Sequence, residues 1–201
     1  MKRHIKLIIV DYYGTMIRGS YRETCQWLAK KYHLPFNKVY DVVYHKYFSN
    51  AALGKMSERE SFQGPIDELG LNETWRGFRT KHLSFQKLNR SVFDLMRKLQ
   101  SEGYTVLILS KNTPPQFKEA LGKMGTRKYF KNIVNTYDLK LPKASKKTML
   151  WACKKFKVKP QEIVYIDDQD FNLPEAKKLG VNTIYYRNFK DFKTQLDKLL
   201  K

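Results

Sequence analysis

At 201 residues the chain has room for one domain of ordinary size plus a sizeable insertion, and 42% hydrophobic with 14% aromatic residues excludes wholesale disorder. Thirty-nine Lys and Arg against nineteen Asp and Glu leave a formal net charge of +20. That excess points either to an anionic partner or to a Lys-rich, solvated surface.

The first predicted element is a strand over Leu7 to Val10, a continuous apolar run of the kind buried on both sheet faces, ending at Asp11. From about Met16 to Gln86 the pattern turns helical, with stretches predicted over Tyr21–Tyr32, Asn37–Phe48, Glu58–Leu69 and Glu73–Leu83. Ser57 with Glu60 forms a capping box, and Gly54, Gly64-Pro65 and Gly70 punctuate the region. Val92, Leu95, Met96 and Leu99 then fall at helical spacing with Gly103 as a stop, and a strand over Thr105 to Leu109 ends at Ser110. Pro114-Pro115 opens a helix through Leu121, capped by Thr113. A short strand at Ile133-Val134, a helix from Thr148 to Phe156 and a strand from Ile163 to Ile166 ending at Asp167-Asp168 follow. A helix over Leu173–Leu179, a strand over Thr183–Tyr186 and a last helix from about Asp191 to Leu200 complete the chain. This alternation predicts an α/β fold: a Rossmann-like, doubly wound parallel sheet of about five strands, formed by residues 1–15 and 87–201, with a helical cap subdomain inserted at 16–86.

Cys25 and Cys153 form no CxxC and no disulfide framework, and both read as core thiols. No run approaches the roughly 18 apolar residues of a membrane span, and the basic N-terminus reaches Asp11 too soon for a signal peptide. The expectation is a soluble, cytoplasmic protein.

Ligands of open parallel sheets bind beyond the carboxyl ends of the strands. Three buried runs end there in Asp11, Ser110 and Asp167-Asp168, delivering carboxylates and a hydroxyl to one edge. At these residues the chain resembles the haloacid dehalogenase-like (HAD) hydrolases. Ile-Ile-Val-Asp11-Tyr-Tyr-Gly14-Thr15 resembles their first motif and Leu-Ile-Leu-Ser110 the second. A lysine ahead of a helix and Tyr-Ile-Asp167-Asp168-Gln-Asp-Phe-Asn172 resemble the third and fourth.

The resemblance implies Asp11 as nucleophile, forming an ester that water later cleaves. It implies Mg²⁺ held by Asp11, Asp168 and the backbone carbonyl of Tyr13, with Asp167 beside them. Ser110 and the amide after it would bind the transferred group, with Thr15, Lys111 and Asn112 facing the substrate. The third-motif lysine, which balances charge, matches Lys143 better than Lys140.

Two departures stand out. The second residue after the nucleophile, an aspartate that acts as general acid and base in HAD phosphatases, is here Tyr13, a weak substitute with a reference pKa of about 10. Haloacid dehalogenases carry Asp-x-Tyr-Gly-Thr at this place, yet they lack the metal and the acidic pair, and use a cap arginine for which Arg18 and Arg22 are the nearest candidates. Lys111 also stands between Ser110 and Asn112 where relatives read Ser-Asn. Asn172 either orients the metal shell or caps the next helix.

Magnesium-dependent hydrolysis of a small phosphorylated metabolite leads, with metal-independent 2-haloacid hydrolysis and a catalytically degenerate binding protein as alternatives. His4, His33, His45 and His82 lack metal-ligand spacing and read as surface or cap residues. Tyr40, Tyr44, Tyr47 and Phe48 have helical spacing, with core packing as the default and a substrate pocket as the alternative. Lys146, Lys147, Lys154, Lys155 and Lys157 spread around a helix, so most are solvated. With no zinc-finger, RNA-recognition or KH signature, nucleic acid is a minor option, and the charge favours a small anionic substrate.

Overall fold

The computed structural model describes residues 5–201; His4 lies outside them. Strand β1 (Leu7–Asp11) is followed by a turn and the short β2 (Ile17–Arg18). Helices α1 (Tyr21–Tyr32) and α2 (Phe36–Tyr40), a π-helix (Asp41–Phe48), α3 (Ser49–Ala52), α4 (Glu58–Leu69) and α5 (Trp75–Ser84) come next. The chain returns through β3 (Lys87–Leu88) to α6 (Arg90–Ser101), β4 (Thr105–Ser110), α7 (Pro114–Lys123), β5 (Asn132–Asn135) and α8 (Thr136–Leu139). It ends with α9 (Lys146–Phe156), β6 (Ile163–Asp167), α10 (Pro174–Lys178), β7 (Asn182–Tyr185) and α11 (Phe189–Leu200).

Five strands form one parallel sheet in the order β5-β4-β1-β6-β7. Because strand side chains alternate between faces, Ile8 and Val10 join Val106, Ile108, Val164 and Ile166 under α6, α7 and α11. Leu7 and Ile9 join Leu107, Leu109 and Tyr165 under α9 and α10. Both faces are thus covered, which explains why these strands read as unbroken apolar runs.

The helices between β2 and β3 have a core of their own, centred on Cys25, Leu28, Val43, Phe62 and Phe78. β2 and β3 pair antiparallel, Ile17 with Leu88 and Arg18 with Lys87, so the two chain segments leading to this helical unit form one ribbon. Gly19, at φ +84°, lies so close to Phe85 that a Cβ would stand 2.1 Å from its carbonyl oxygen.

Several expectations need correction. The stretch predicted as one helix over Asn37–Phe48 is a short α-helix, then a π-helix, then α3 ending at Ala52. Gly64 and Pro65 do not punctuate; they lie inside α4, where the missing Cβ of Gly64 makes room for the Tyr47 ring. The helix expected from Glu73 starts at Trp75, because the Thr74 hydroxyl accepts from the Gly77 amide and fixes the start there. Thr113 occupies the cap position of α7, but its side chain caps no backbone amide and instead accepts from Gln116 Nε2. Cys25 is buried, whereas Cys153 is only half-buried. His82 is fully buried, its Nδ1 2.8 Å from the Thr24 hydroxyl, with burial lowering its pKa to about 3. Among the described residues no helix is long and apolar enough to cross a membrane.

Candidate active site

A strand buried on both faces can present polar side chains only where it leaves the sheet. Asp11, Ser110 and Asp167 are the last residues of the adjacent strands β1, β4 and β6, so the register alone gathers them at the carboxyl edge. Gly14, at φ +91°, turns the chain immediately after β1. Its backbone passes so close to Asp168 that a Cβ would stand 2.0 Å from Oδ2.

Lys143 arrives from the other direction, on the loop before α9. That loop is tied down by the Thr148 hydroxyl, which donates to the Pro142 carbonyl at 2.7 Å, while Ser145 caps the helix by accepting from the Thr148 amide. The Lys143 ammonium touches Asp11 Oδ1 and lies 2.8 Å from Asp167 Oδ2, with the side chain 5% exposed. Burial opposes its charge, but the two carboxylates outweigh burial and raise its pKa well above the ordinary value. Lys140, the rival, is exposed, its ammonium over the Tyr137 ring.

Among the described residues, Asp11, Asp167 and Asp168 each offer an oxygen within 4.8 Å of the others. Asp167 is held by four protein donors: the Tyr165 hydroxyl (2.5 Å), Lys143, the Gln169 amide (2.9 Å) and Asn172 Nδ2 (3.0 Å). Asn172 therefore orients this carboxylate, and Leu173, not Asn172, takes the cap position of α10. Burial, and repulsion by Asp167 and Asp168 against the attraction of Lys143, hold the Asp11 carboxyl above its usual range. Burial and then Asp167 raise Asp168 to about 6. Three carboxylates against one touching ammonium leave an excess of two negative charges. A hard divalent cation with oxygen ligands offsets that excess, so the residues present fit such an ion.

Above the carboxylates is a cavity. Its floor carries Asp11, Tyr13, Lys111 and Lys143, and its roof, from the helical unit, carries Ser20, Tyr21, Tyr44 and Phe48. Tyr21 lies 4.1 Å from Phe48 between ring centroids and 4.2 Å from the His82 ring. The roof is fastened to the α/β part by the Tyr44 hydroxyl donating to Gln169 Oε1 at 2.8 Å and by Arg79 pairing with Glu119 at 2.7 Å.

The other expected site residues divide. Tyr13 lines the cavity, but its hydroxyl donates to the Gln116 carbonyl at 3.3 Å and burial pushes its pKa well above the ordinary phenol value. Lys111 and Asn112 also line it, although the Asn112 carboxamide oxygen accepts from the Thr113 amide at 2.7 Å. Ser110 and Thr15 are fully buried and not in the lining; neither hydroxyl has a hydrogen-bond partner among the described residues. Arg18 and Arg22 are exposed and not in the lining, so neither stands in for a dehalogenase arginine in this arrangement. Of the aromatic group, Tyr44 and Phe48 both pack in the helical core and line the cavity, whereas Tyr47 donates to Glu68 at the surface. Sequence reasoning missed Tyr21, Ser20 and Gln169. The Ser20–Glu23 capping box that starts α1 was the one local signal, because it fixes where Tyr21 enters the helix.

The chain is similar in sequence and fold to known proteins. The profile of the haloacid dehalogenase-like hydrolases matches residues 5–180. A curated relative, (S)-2-haloacid dehalogenase 4A of Burkholderia cepacia, is 29% identical over 91 residues, a match covering 45% of this chain and 39% of that protein's length. A HAD-family enzyme of Bacteroides thetaiotaomicron superposes with a TM-score of 0.77 at 22% identity, covering 96% of this chain and 98% of that one. It has also been solved in complex with magnesium and inorganic phosphate, with a TM-score of 0.72 at 22% identity and coverage of 91% and 94%. A predicted HAD-like hydrolase of Porphyromonas gingivalis gives a TM-score of 0.73 at 22% identity, with 98% of both chains covered. With the profile spanning most of its length, the chain belongs to the haloacid dehalogenase-like hydrolase family.

Proposed function

We propose that the protein is a Mg²⁺-dependent phosphatase of small phosphorylated metabolites, with residues 16–86 as cap over the α/β core of residues 1–15 and 87–201. The observation that carries this reading is the three-carboxylate group closed by Lys143 at the sheet edge. Asp11 and Asp168, with the Tyr13 carbonyl, would hold the ion, while Asp167 acts through Lys143 and Asn172. When bound, the ion supplies positive charge that lets a carboxylate approach a phosphate dianion.

Asp11 attacks phosphorus with the carboxylate oxygen free of Lys143. Lys143 holds that carboxylate in place and offsets charge on the phosphoryl oxygens. The backbone amide of Lys111, a residue of the cavity lining, supplies a donor to the transferred group, while the Ser110 hydroxyl would do so only after a shift that opens it to the cavity. The aromatic roof of Tyr21, Tyr44 and Phe48 excludes water while the ester on Asp11 forms.

A second reading has a specific observation behind it. Tyr13 stands where the family's phosphatases carry their second aspartate, and the curated relative is a haloacid dehalogenase. In that reading Asp11 displaces halide from carbon without a metal. Phosphate and halide release from panels of phosphomonoesters and 2-haloacids, with Mg²⁺ and with EDTA, beside Asp11→Asn, separates the two. Metal-dependent phosphate release lost in Asp11→Asn supports the phosphatase; metal-independent halide release replaces it with the dehalogenase. Neither product from the wild type leaves the binding-protein alternative.

A further inference from the structure

The residues placed so far leave one step without an agent. An alcohol leaving from phosphorus needs a proton, and the water that later cleaves the ester must lose one. Most groups around the cavity are unsuited. The hydroxyls of Tyr13, Tyr21 and Tyr44 donate to the Gln116 carbonyl, Gln116 Oε1 and Gln169 Oε1, and burial pushes all three phenols up. The Lys143 proton is held between two carboxylates.

Lys111 is different. It is the first residue after β4, and the loop behind it is clamped by Asn135, which accepts from the Asn112 amide at 3.1 Å and donates to the Asn112 carbonyl at 2.8 Å. Its side chain enters the same cavity as Asp11 and ends 4.6 Å from the centroid of the Tyr44 ring and 5.6 Å from that of Phe48. Ring faces attract an ammonium without taking its proton. Its hydrogen bond among the described residues is a long one, 3.4 Å to the Ser49 hydroxyl.

We propose that Lys111 is the general acid and then the general base for hydrolysis at Asp11, a role that rests on the phosphatase reading above. As the Asp11 oxygen bonds to phosphorus, the bond to the leaving oxygen breaks, its electron pair stays on that oxygen, and the Lys111 ammonium protonates it. The neutral amine then takes a proton from the attacking water. The bond from phosphorus to Asp11 breaks, the pair returns to the carboxylate, and phosphate departs with the ammonium restored. The charged and titratable groups facing Lys111 are Lys143 on its loop, Asp11 on β1, Asp167 on β6 and Tyr44 on the π-helix. Burial, then repulsion from Lys143, lowers the Lys111 pKa to about 8 against the opposing pull of Asp167 and Asp11. A group with a pKa near the working pH can both give and take a proton.

Rapid-mixing kinetics of wild type, Lys111→Met, Lys111→Arg and Asp11→Asn on an alkyl phosphate and on p-nitrophenyl phosphate test this. The nitrophenolate leaves without a proton, so both Lys111 variants should release it in a first turnover within about threefold of the wild-type rate, and then turn over roughly 10²–10⁴-fold more slowly. On the alkyl phosphate the first turnover itself should slow by that factor. Equal losses in all phases and substrates, wild-type rates, or recovery by arginine, which keeps the charge but not a transferable proton, would each overturn the role. Arginine also carries the comparison if the methionine variant fails to fold. Wild-type protein without Asp11-dependent phosphate release would overturn the phosphatase reading and the Lys111 role together; wild-type release that does depend on Asp11, with any of those three outcomes in the Lys111 variants, would overturn this role alone.

Discussion

Replacing Lys143 by methionine keeps the aliphatic stem and removes the charge that faces Asp11 and Asp167. The ammonium is 2.8 Å from Asp167 Oδ2 and also in contact with Asp11, in surroundings 5–6% exposed or less. At an effective dielectric of about 20, one such pair has a gross attraction of about 6 kcal/mol. Much of that is offset by desolvation, and removing one partner of a buried pair costs about 3–5 kcal/mol. With m near 2–3 kcal/mol/M in urea, the metal-free variant should unfold about 1–2 M earlier than wild type at pH 8. The deficit should shrink with acid. Freed of Lys143, whose charge lowers it, the Asp11 carboxyl has a folded pKa still further above its unfolded value of about 3.9, so its contribution is fully present below that value and lost as pH rises through the folded one. Millimolar Mg²⁺ should also recover part of the loss. Urea titrations at pH 4 and pH 8, with EDTA and with Mg²⁺, read all three effects. A midpoint within about 0.3 M of wild type at pH 8, or an equal deficit at both pH values, would show that the carboxylates do not depend on this cation.

Three further outcomes follow from the same geometry. Gly14→Ala places a Cβ 2.0 Å from Asp168 Oδ2 at φ +91°, so it should displace that carboxylate and weaken Mg²⁺ binding at least tenfold by calorimetry; unchanged affinity would show that Asp168 holds no ion. Asp168→Asn should stabilise the metal-free protein at pH 8 on the order of 1–3 kcal/mol and do so less at pH 4. The sign follows because a carboxyl raised to about 6 contributes stability below its unfolded pKa that is lost as pH rises through 6. Equal stabilisation at both pH values in EDTA would contradict it. Phe62→Ala empties the centre of the helical unit and should cost about 3–5 kcal/mol by denaturation, with a loss under about 1 kcal/mol refuting the packing.

The parts of the fold most legible in the sequence were those set by burial. Leu7 to Val10, Thr105 to Leu109 and Ile163 to Ile166 announce central strands because each is covered on both faces, and their polar ends mark the edge where chemistry gathers. β2 and β3 were not legible, since two-residue strands carry no period and are defined only by pairing across almost seventy residues. Lys143 was named through the spacing of a resembled motif; nothing local distinguishes it from Lys140 until the loop is folded against Asp11. Tyr21 and Gln169 were invisible as cavity residues because each contributes through a tertiary contact, Tyr21 with Phe48 and Gln169 with Tyr44.

The ribbon of β2 and β3, with Gly19 wedged against Phe85, has an evolutionary consequence. The chain leaves for the helical unit and returns from it through one ribbon, where its two ends already touch. Closing that junction costs only about 2 kcal/mol more chain entropy with seventy residues beyond it than with a few, because loop entropy grows only logarithmically with length. The site roof can therefore be exchanged, enlarged or rebuilt as one cassette while β1 still delivers Asp11 to the same place. The residues that roof the cavity and the strand that carries Asp11 thus lie on separate stretches of one gene.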